Sequence, residues 1–238
     1  ELSDIDLELY VREPERLLGH DEWYRRFGEV LVVEVLENPE WHPTRLVYYA
    51  NGKVDFMIAS VDVAAVGVAF DRPFQVVVDK DGLADRMSFV PAVTKPPTPE
   101  EFTECIHWFY AAALMWVKHC VRRDPWAAKL REWEANGQLL RMVEWDHRSR
   151  HGWDYDTWYL GSHLRDWMDA DTVEALSRCW ADFSEPNMAN AAAASVALFD
   201  ALSGRAADAV GLPRFDARAV RFEIDQLVSR AGDGDRFD

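Results

Sequence analysis

A cluster of prolines divides this chain into two parts that cannot share one folding pattern. Pro91, Pro96, Pro97 and Pro99 fall within nine residues. Proline fixes its own φ, lacks an N–H donor and pushes the preceding residue out of the helical region. Neither a helix nor a central strand can run through such a segment. Before it the apolar residues follow the two-residue period of strands; after it they follow the helical period. The expected class is α+β: an N-terminal mixed β-sheet domain over 1–95 and a C-terminal α-helical bundle over 96–238. A chain of 238 residues that is 49% hydrophobic can bury two modest cores, which excludes disorder as a class.

In the first part Ile5–Val11 alternates strictly. Asp4, Asp6, Glu8 and Tyr10 share one face; Ile5, Leu7, Leu9 and Val11 share the other. Val30–Leu36 is a nearly continuous apolar run, which predicts a buried strand. Arg45–Ala50 and Lys53–Ala59 predict two more, joined at Asn51-Gly52, a strong hairpin signal because both residues tolerate positive φ. Pro73–Asp79 predicts a further strand, and a short helix is expected within 12–27. In the second part Thr98-Pro99-Glu100-Glu101 reads as a capping box with proline at the first helical position. Helices are expected over 99–122, 126–150, 155–168, 171–182, 186–210 and 216–231.

Charge narrows the partners. Lysine plus arginine number 26 and aspartate plus glutamate 42, a net charge of −16. Such a surface repels polyanions, which argues against nucleic acid and suits a cationic ligand. No apolar stretch approaches the length of a bilayer span, and residues 1–15 lack the apolar core of a signal peptide, so no membrane is expected. Cys105, Cys120 and Cys179 are an odd number without metal-site spacing, as in reduced thiols of a cytoplasmic protein.

The chemistry lies in carboxylates. Asp4 and Asp6 point the same way from one strand, with Cβ atoms about 6–7 Å apart. Like charges so placed repel, and a shared divalent ion removes the conflict. Asp55 stands in the otherwise apolar stretch Val54-Asp55-Phe56-Met57-Ile58, where aspartate is disfavoured without a partner. If its strand lies beside Ile5–Val11, Asp4, Asp6 and Asp55 form a Mg²⁺ site. The plain alternative is a solvent-facing strand surface. His147 and His151 have zinc-like spacing, but Arg148, Ser149 and Arg150 lie between them, so they read as a polar helix end. Phosphate-binding P-loop, GxGxxG and GxSxG motifs are absent.

Three further segments join the Ser3-Asp4-Ile5-Asp6-Leu7 and Val54-Asp55-Phe56 motifs. They are Trp108-Phe109-Tyr110 with Val117-Lys118-His119-Cys120-Val121-Arg122-Arg123-Asp124, Gln138-Leu139-Leu140-Arg141-Met142-Val143-Glu144-Trp145, and Tyr159-Leu160-Gly161. Together they resemble the aminoglycoside 6-adenylyltransferase (streptomycin adenylyltransferase) family, of nucleotidyltransferase fold, over essentially the whole chain. The resemblance implies AMP transfer from ATP, as co-substrate, to a hydroxyl of a streptomycin-like aminoglycoside with Mg²⁺, conferring antibiotic resistance. It assigns Asp4, Asp6 and Asp55 to the metal, and Ser3, Lys118 and Arg122 to the nucleotide. Asp55 or Glu144 is the general base; Glu144, Trp145, Asp154 and Asp156 are candidates for the cationic acceptor, by carboxylate–guanidinium pairing and stacking. A monomer or homodimer is expected.

Two departures accompany the resemblance. The fold carries a Gly-Ser turn shortly before the paired aspartates, and this sequence begins at Glu1, so that turn and the first elements are expected upstream. Gly161-Ser162 stands where the family often has Gly-Lys, which leaves open an adenylyl acceptor of another kind. A non-catalytic binding protein on the same scaffold is the remaining alternative.

Overall fold

The computed structural model describes residues 4–37 and 42–233. They form two compact units, Glu1–Ala92 and Val93–Asp238. The first holds β1 (Ile5–Val11), α1 (Pro14–Leu18), β2 (Val30–Leu36), β3 (Thr44–Tyr49), β4 (Gly52–Ser60), α2 (Val61–Val66), β5 (Val68–Phe70) and β6 (Met87–Phe89). The main sheet has the order β1-β4-β3-β2, and β5 pairs with β6 separately. β1 runs parallel to β4, whereas β3 is antiparallel to both β4 and β2. The sheet is therefore mixed, as expected. Its apolar face carries Leu7, Leu9, Val33, Val47, Tyr49, Val54 and Phe56, covered by Trp23 and Tyr24. The Trp23 ring meets Phe56 edge-on, 4.9 Å between centroids, and the Tyr49 hydroxyl donates to the Tyr24 carbonyl at 2.8 Å.

Several sequence expectations for this unit are corrected. The hairpin exists, but Tyr49 pairs with Gly52, so Ala50 and Asn51 form the turn and Gly52 begins β4 with φ 150°. β2 is an edge strand rather than a buried one; Leu31, Val32, Val35 and Leu36 are exposed. An apolar run reports β-propensity, not whether a second neighbour or a covering layer is present. Residues 73–79 form no strand, and Val77 and Val78 lie exposed. A strand exists only where an edge accepts its backbone hydrogen bonds. The helix within 12–27 breaks into α1 and a 3₁₀ turn at Tyr24–Phe27.

The second unit holds α3 (Pro99–Arg122), α4 (Pro125–His151), α5 (Leu164–Trp167), α6 (Ala170–Ser177), α7 (Glu185–Val210) and α8 (Arg218–Asp233). Thr98 Oγ1 accepts from the Glu101 N–H at 3.1 Å, and the Glu101 carboxylate accepts from the Thr98 N–H at 2.8 Å, completing the capping box. α3 packs on α4, α7 and α8. At the centre Phe109 and Phe199 are fully buried and stacked, with centroids 3.7 Å apart and planes 2° from parallel. All three cysteines are buried and free. The helix expected over 155–168 is instead an irregular segment with a 3₁₀ turn at Tyr159–Gly161 and the single-turn α5. Trp158, Leu160 and His163 take positive φ there, which a continuous α-helix forbids. No helix among the described residues is long and apolar enough to cross a membrane.

The stacked pair is fully buried at the centre of the helical core. Phe199→Ala is expected to lower the unfolding free energy of the helical unit by about 3–5 kcal/mol, read from urea unfolding followed by fluorescence; a change below about 1 kcal/mol would contradict this packing.

Candidate active site

The register of β1 against β4 decides the chemistry of the sheet's second face. Asp6 is the partner of Asp55, and Ile5 of Val54. Because side chains alternate, Asp4, Asp6, Lys53 and Asp55 all stand on the face opposite the Phe56 core. The two strands thus bring together the three aspartates expected from the sequence. They also bring one residue that sequence reasoning missed. Lys53 Nζ donates to Asp4 Oδ2 at 3.0 Å and to Asp55 Oδ2 at 2.9 Å. Its ammonium lies 5.6 Å from the Tyr48 ring centroid, within cation–π range. Burial works to lower the Lys53 pKa, but the bonds to Asp55 and Asp4 outweigh it and hold the pKa raised. The signal was available: Lys53 lies two residues from Asp55 and so shares its face.

Asp55 is half-buried, and its second oxygen, Oδ1, is buried and takes no hydrogen bond from the described residues. Asp4 and Asp6 are exposed. Ser3, expected on the nucleotide, lies outside the described residues.

The helical unit carries the other candidates. Lys118 and Arg122 follow each other by one turn of α3, half-buried and exposed respectively. Glu144 on α4 is half-buried, 3.8 Å from the Arg148 guanidinium. Burial pushes its carboxyl pKa up, against the pull of Arg148 and Arg141. Trp145 is 7% exposed. Phe102 stacks on it at 5.8 Å, and the Arg141 guanidinium lies 4.7 Å from its centroid. What the structure shows for Trp145 is packing rather than an open aromatic face. Asp154 and Asp156 are exposed in the segment after α4, and Asp156 Oδ1 accepts from the Trp158 N–H at 2.8 Å, an Asx turn. Arg148 pins that segment to α4, donating to the Thr157 hydroxyl at 2.6 Å and the Tyr155 carbonyl at 3.2 Å.

Comparison with known proteins gives the family. A model of the streptomycin adenylyltransferase family matches residues 1–221. The chain belongs to that family. Aminoglycoside 6-adenylyltransferases of Staphylococcus aureus and Campylobacter jejuni are 27% identical over 172 residues and 21% identical over 242. The first match covers 64% of this chain and 59% of that protein, the second 95% and 83%. This chain's match thus spans less than two thirds of the Staphylococcus relative. The crystal structure of an aminoglycoside 6-adenyltransferase from Bacillus subtilis superimposes with a TM-score of 0.52 at 18% identity, covering 95% of this chain and 88% of that one, a likeness of fold.

The streptomycin adenylyltransferase family implies a magnesium ion, and the residues fit one in donor type, although the three carboxylates do not come within 4.8 Å of one another in the structure. The donor set is three carboxylates, all hard oxygen ligands. Asp55 Oδ1 lacks a partner, and the sheet already places a cation, the Lys53 ammonium, between Asp4 and Asp55. Removing that ammonium leaves two neighbouring carboxylates uncompensated. Lys53→Met is therefore expected to have a lower melting temperature than the parent without divalent ions. Added Mg²⁺ should raise it by more than it raises the parent's, since no ammonium competes. Equal shifts in both proteins would separate the ion from this face.

Glu144 gives a second prediction. A carboxyl whose folded pKa lies above its unfolded value favours the protonated folded chain, so stability declines as pH rises from the unfolded value through the folded one. Glutamine cannot ionise. The urea midpoint of Glu144→Gln relative to the parent should therefore move in the variant's favour as pH rises from about 4 to neutrality; the opposite trend would show that the arginines outweigh burial.

Proposed function

We propose that this chain transfers AMP from ATP to a hydroxyl of a streptomycin-like aminoglycoside in the cytoplasm, and so confers antibiotic resistance. The observation that supports this reading is the placement of Asp4, Asp6 and Asp55 on one face of two paired strands, in a member of this family. Asp4, Asp6 and Asp55 would hold Mg²⁺, which when bound neutralises triphosphate charge.

The remaining work falls to side chains. The acceptor hydroxyl attacks the α-phosphorus in line; the new O–P bond forms as the bond to pyrophosphate breaks. Asp55, with Glu144 as the rival base, takes the hydroxyl proton. Lys118 and Arg122 supply positive charge suited to phosphate oxygens. Glu144, Asp154 and Asp156 supply carboxylates for the guanidinium and amino groups of the acceptor, and Trp145 carries the Arg141 guanidinium on its ring. The net charge of −16 favours approach of a polycation.

A second reading rests on Lys53. An ammonium bridging Asp4 and Asp55 is also what a non-catalytic scaffold would use to neutralise its carboxylates. Pyrophosphate release by the full-length protein, with Mg²⁺, ATP and a panel of aminoglycosides including streptomycin, separates the two. Asp55→Asn is expected to lower kcat by at least about a hundredfold, with Asp4→Asn also inactive. Turnover unaltered by both substitutions would remove the aspartates from the reaction, and no release with any acceptor would favour the scaffold.

A further inference from the structure

The end of α4 and the irregular segment behind it contain a cluster that the proposed reaction does not use. His147, His151 and Asp169 each present a ligand atom within 4.8 Å of the other two, the one such group of three among the described residues. His147 is 4% exposed, and neither of its ring nitrogens has a hydrogen-bond partner among the described residues. A buried imidazole with both nitrogens unsatisfied is costly, and it is rare in a finished core. Its surroundings are otherwise aromatic: the His151, Tyr155 and Trp167 rings lie 4.3, 4.7 and 5.2 Å away, centroid to centroid.

The arginines that argue against a metal from the sequence are already compensated. Arg148 donates to Thr157 and the Tyr155 carbonyl. Arg150 pairs with both Asp146 and Asp169, through their Oδ2 atoms. Asp146, 1% exposed, also receives Arg205 in a bidentate pair at 2.9 and 2.9 Å. Two carboxylates thus balance two guanidinium groups, and Asp169 Oδ1 is left for another cation. His151 is exposed and Asp169 half-buried. Both can close toward His147 by the ångström or so that tetrahedral edges of roughly 3.4 Å, from bonds of about 2.1 Å, require.

We propose that His147, His151 and Asp169 bind a divalent transition cation such as Zn²⁺, with a fourth position open to water. Two imidazoles and one carboxylate select such an ion over Mg²⁺, which takes oxygen ligands. The bound ion acts as a cross-link. It joins the last turn of α4 to the residue that begins α6, and so closes the segment 152–169 in which Trp158, Leu160 and His163 hold positive φ.

The test uses the full chain without a histidine tag, stripped with a chelator and titrated with Zn²⁺ by calorimetry in millimolar Mg²⁺. One saturable equivalent is expected, together with a zinc-dependent rise in melting temperature and, with Co²⁺ as probe, visible ligand-field absorption. His151→Ala and Asp169→Asn should each weaken binding by at least about 10–100-fold, since losing a ligand costs no less than losing its outer partner. Asp6→Asn should bind as the parent does, which keeps this site distinct from the adenylyl-transfer proposal. Absence of saturable binding, or binding undiminished in His151→Ala, overturns the proposal.

Discussion

Parallel pairing of β1 with β4 in one register holds the proposed centre together. Asp6 opposite Asp55 is a consequence of main-chain hydrogen bonds, and those bonds are kept in register by the apolar side chains behind them. A slip of one residue would turn Asp4 and Asp6 into the layer occupied by Leu7 and Phe56, where their carboxylates could not be solvated. The hydrophobic face and the polar face are thus two readings of the same alternation. Lys53 belongs to this logic. Two aspartates drawn to one face by the core on the other need a counter-charge, and β4 carries it two residues from Asp55.

α4 does for the helical unit what β4 does for the sheet. Glu144, Trp145, Asp146 and His147 are consecutive, and a helix turns by about 100° per residue, so they leave in four directions. Glu144 faces Arg148, Trp145 lies on Phe102, Asp146 binds Arg205 of α7, and His147 enters an aromatic box closed by Trp167. The buried Glu132, 1% exposed, adds a further tie: it takes Lys129 at 2.6 Å and the Ala181 N–H at 3.3 Å. Each buried charge is thus matched, which is the condition for leaving it in a low-dielectric interior. One long helix therefore holds the core and carries an acceptor-binding candidate and the histidine cluster.

Much of this was legible in the residues. The proline cluster, the Thr98 capping box and the alternation of Ile5–Val11 each act through one or two neighbouring residues, and each stands where its local chemistry placed it. The three aspartates were legible as a candidate set, conditional on the pairing of their two strands. What escaped were features with no local cause. Val30–Leu36 has the composition of a central strand and lies at an edge. Pro73–Asp79 has a strand's composition and no strand to pair with. Residues 155–168 have a helix's periodicity, but Arg148 ties the Tyr155 carbonyl and the Thr157 hydroxyl to α4 and breaks it.

Residue order alone determined where the chain changes from strand to helix, which side chains share a face, and which family the chain belongs to, because backbone sterics and side-chain periodicity act over a few bonds. Only the tertiary structure decided which strand lies beside which, that Lys53 stands between Asp4 and Asp55, and that Asp169 meets two histidines from α4. Those juxtapositions depend on how the chain closes over long separations, and that is set by burial of distant apolar surfaces against one another rather than by any single stretch of residues.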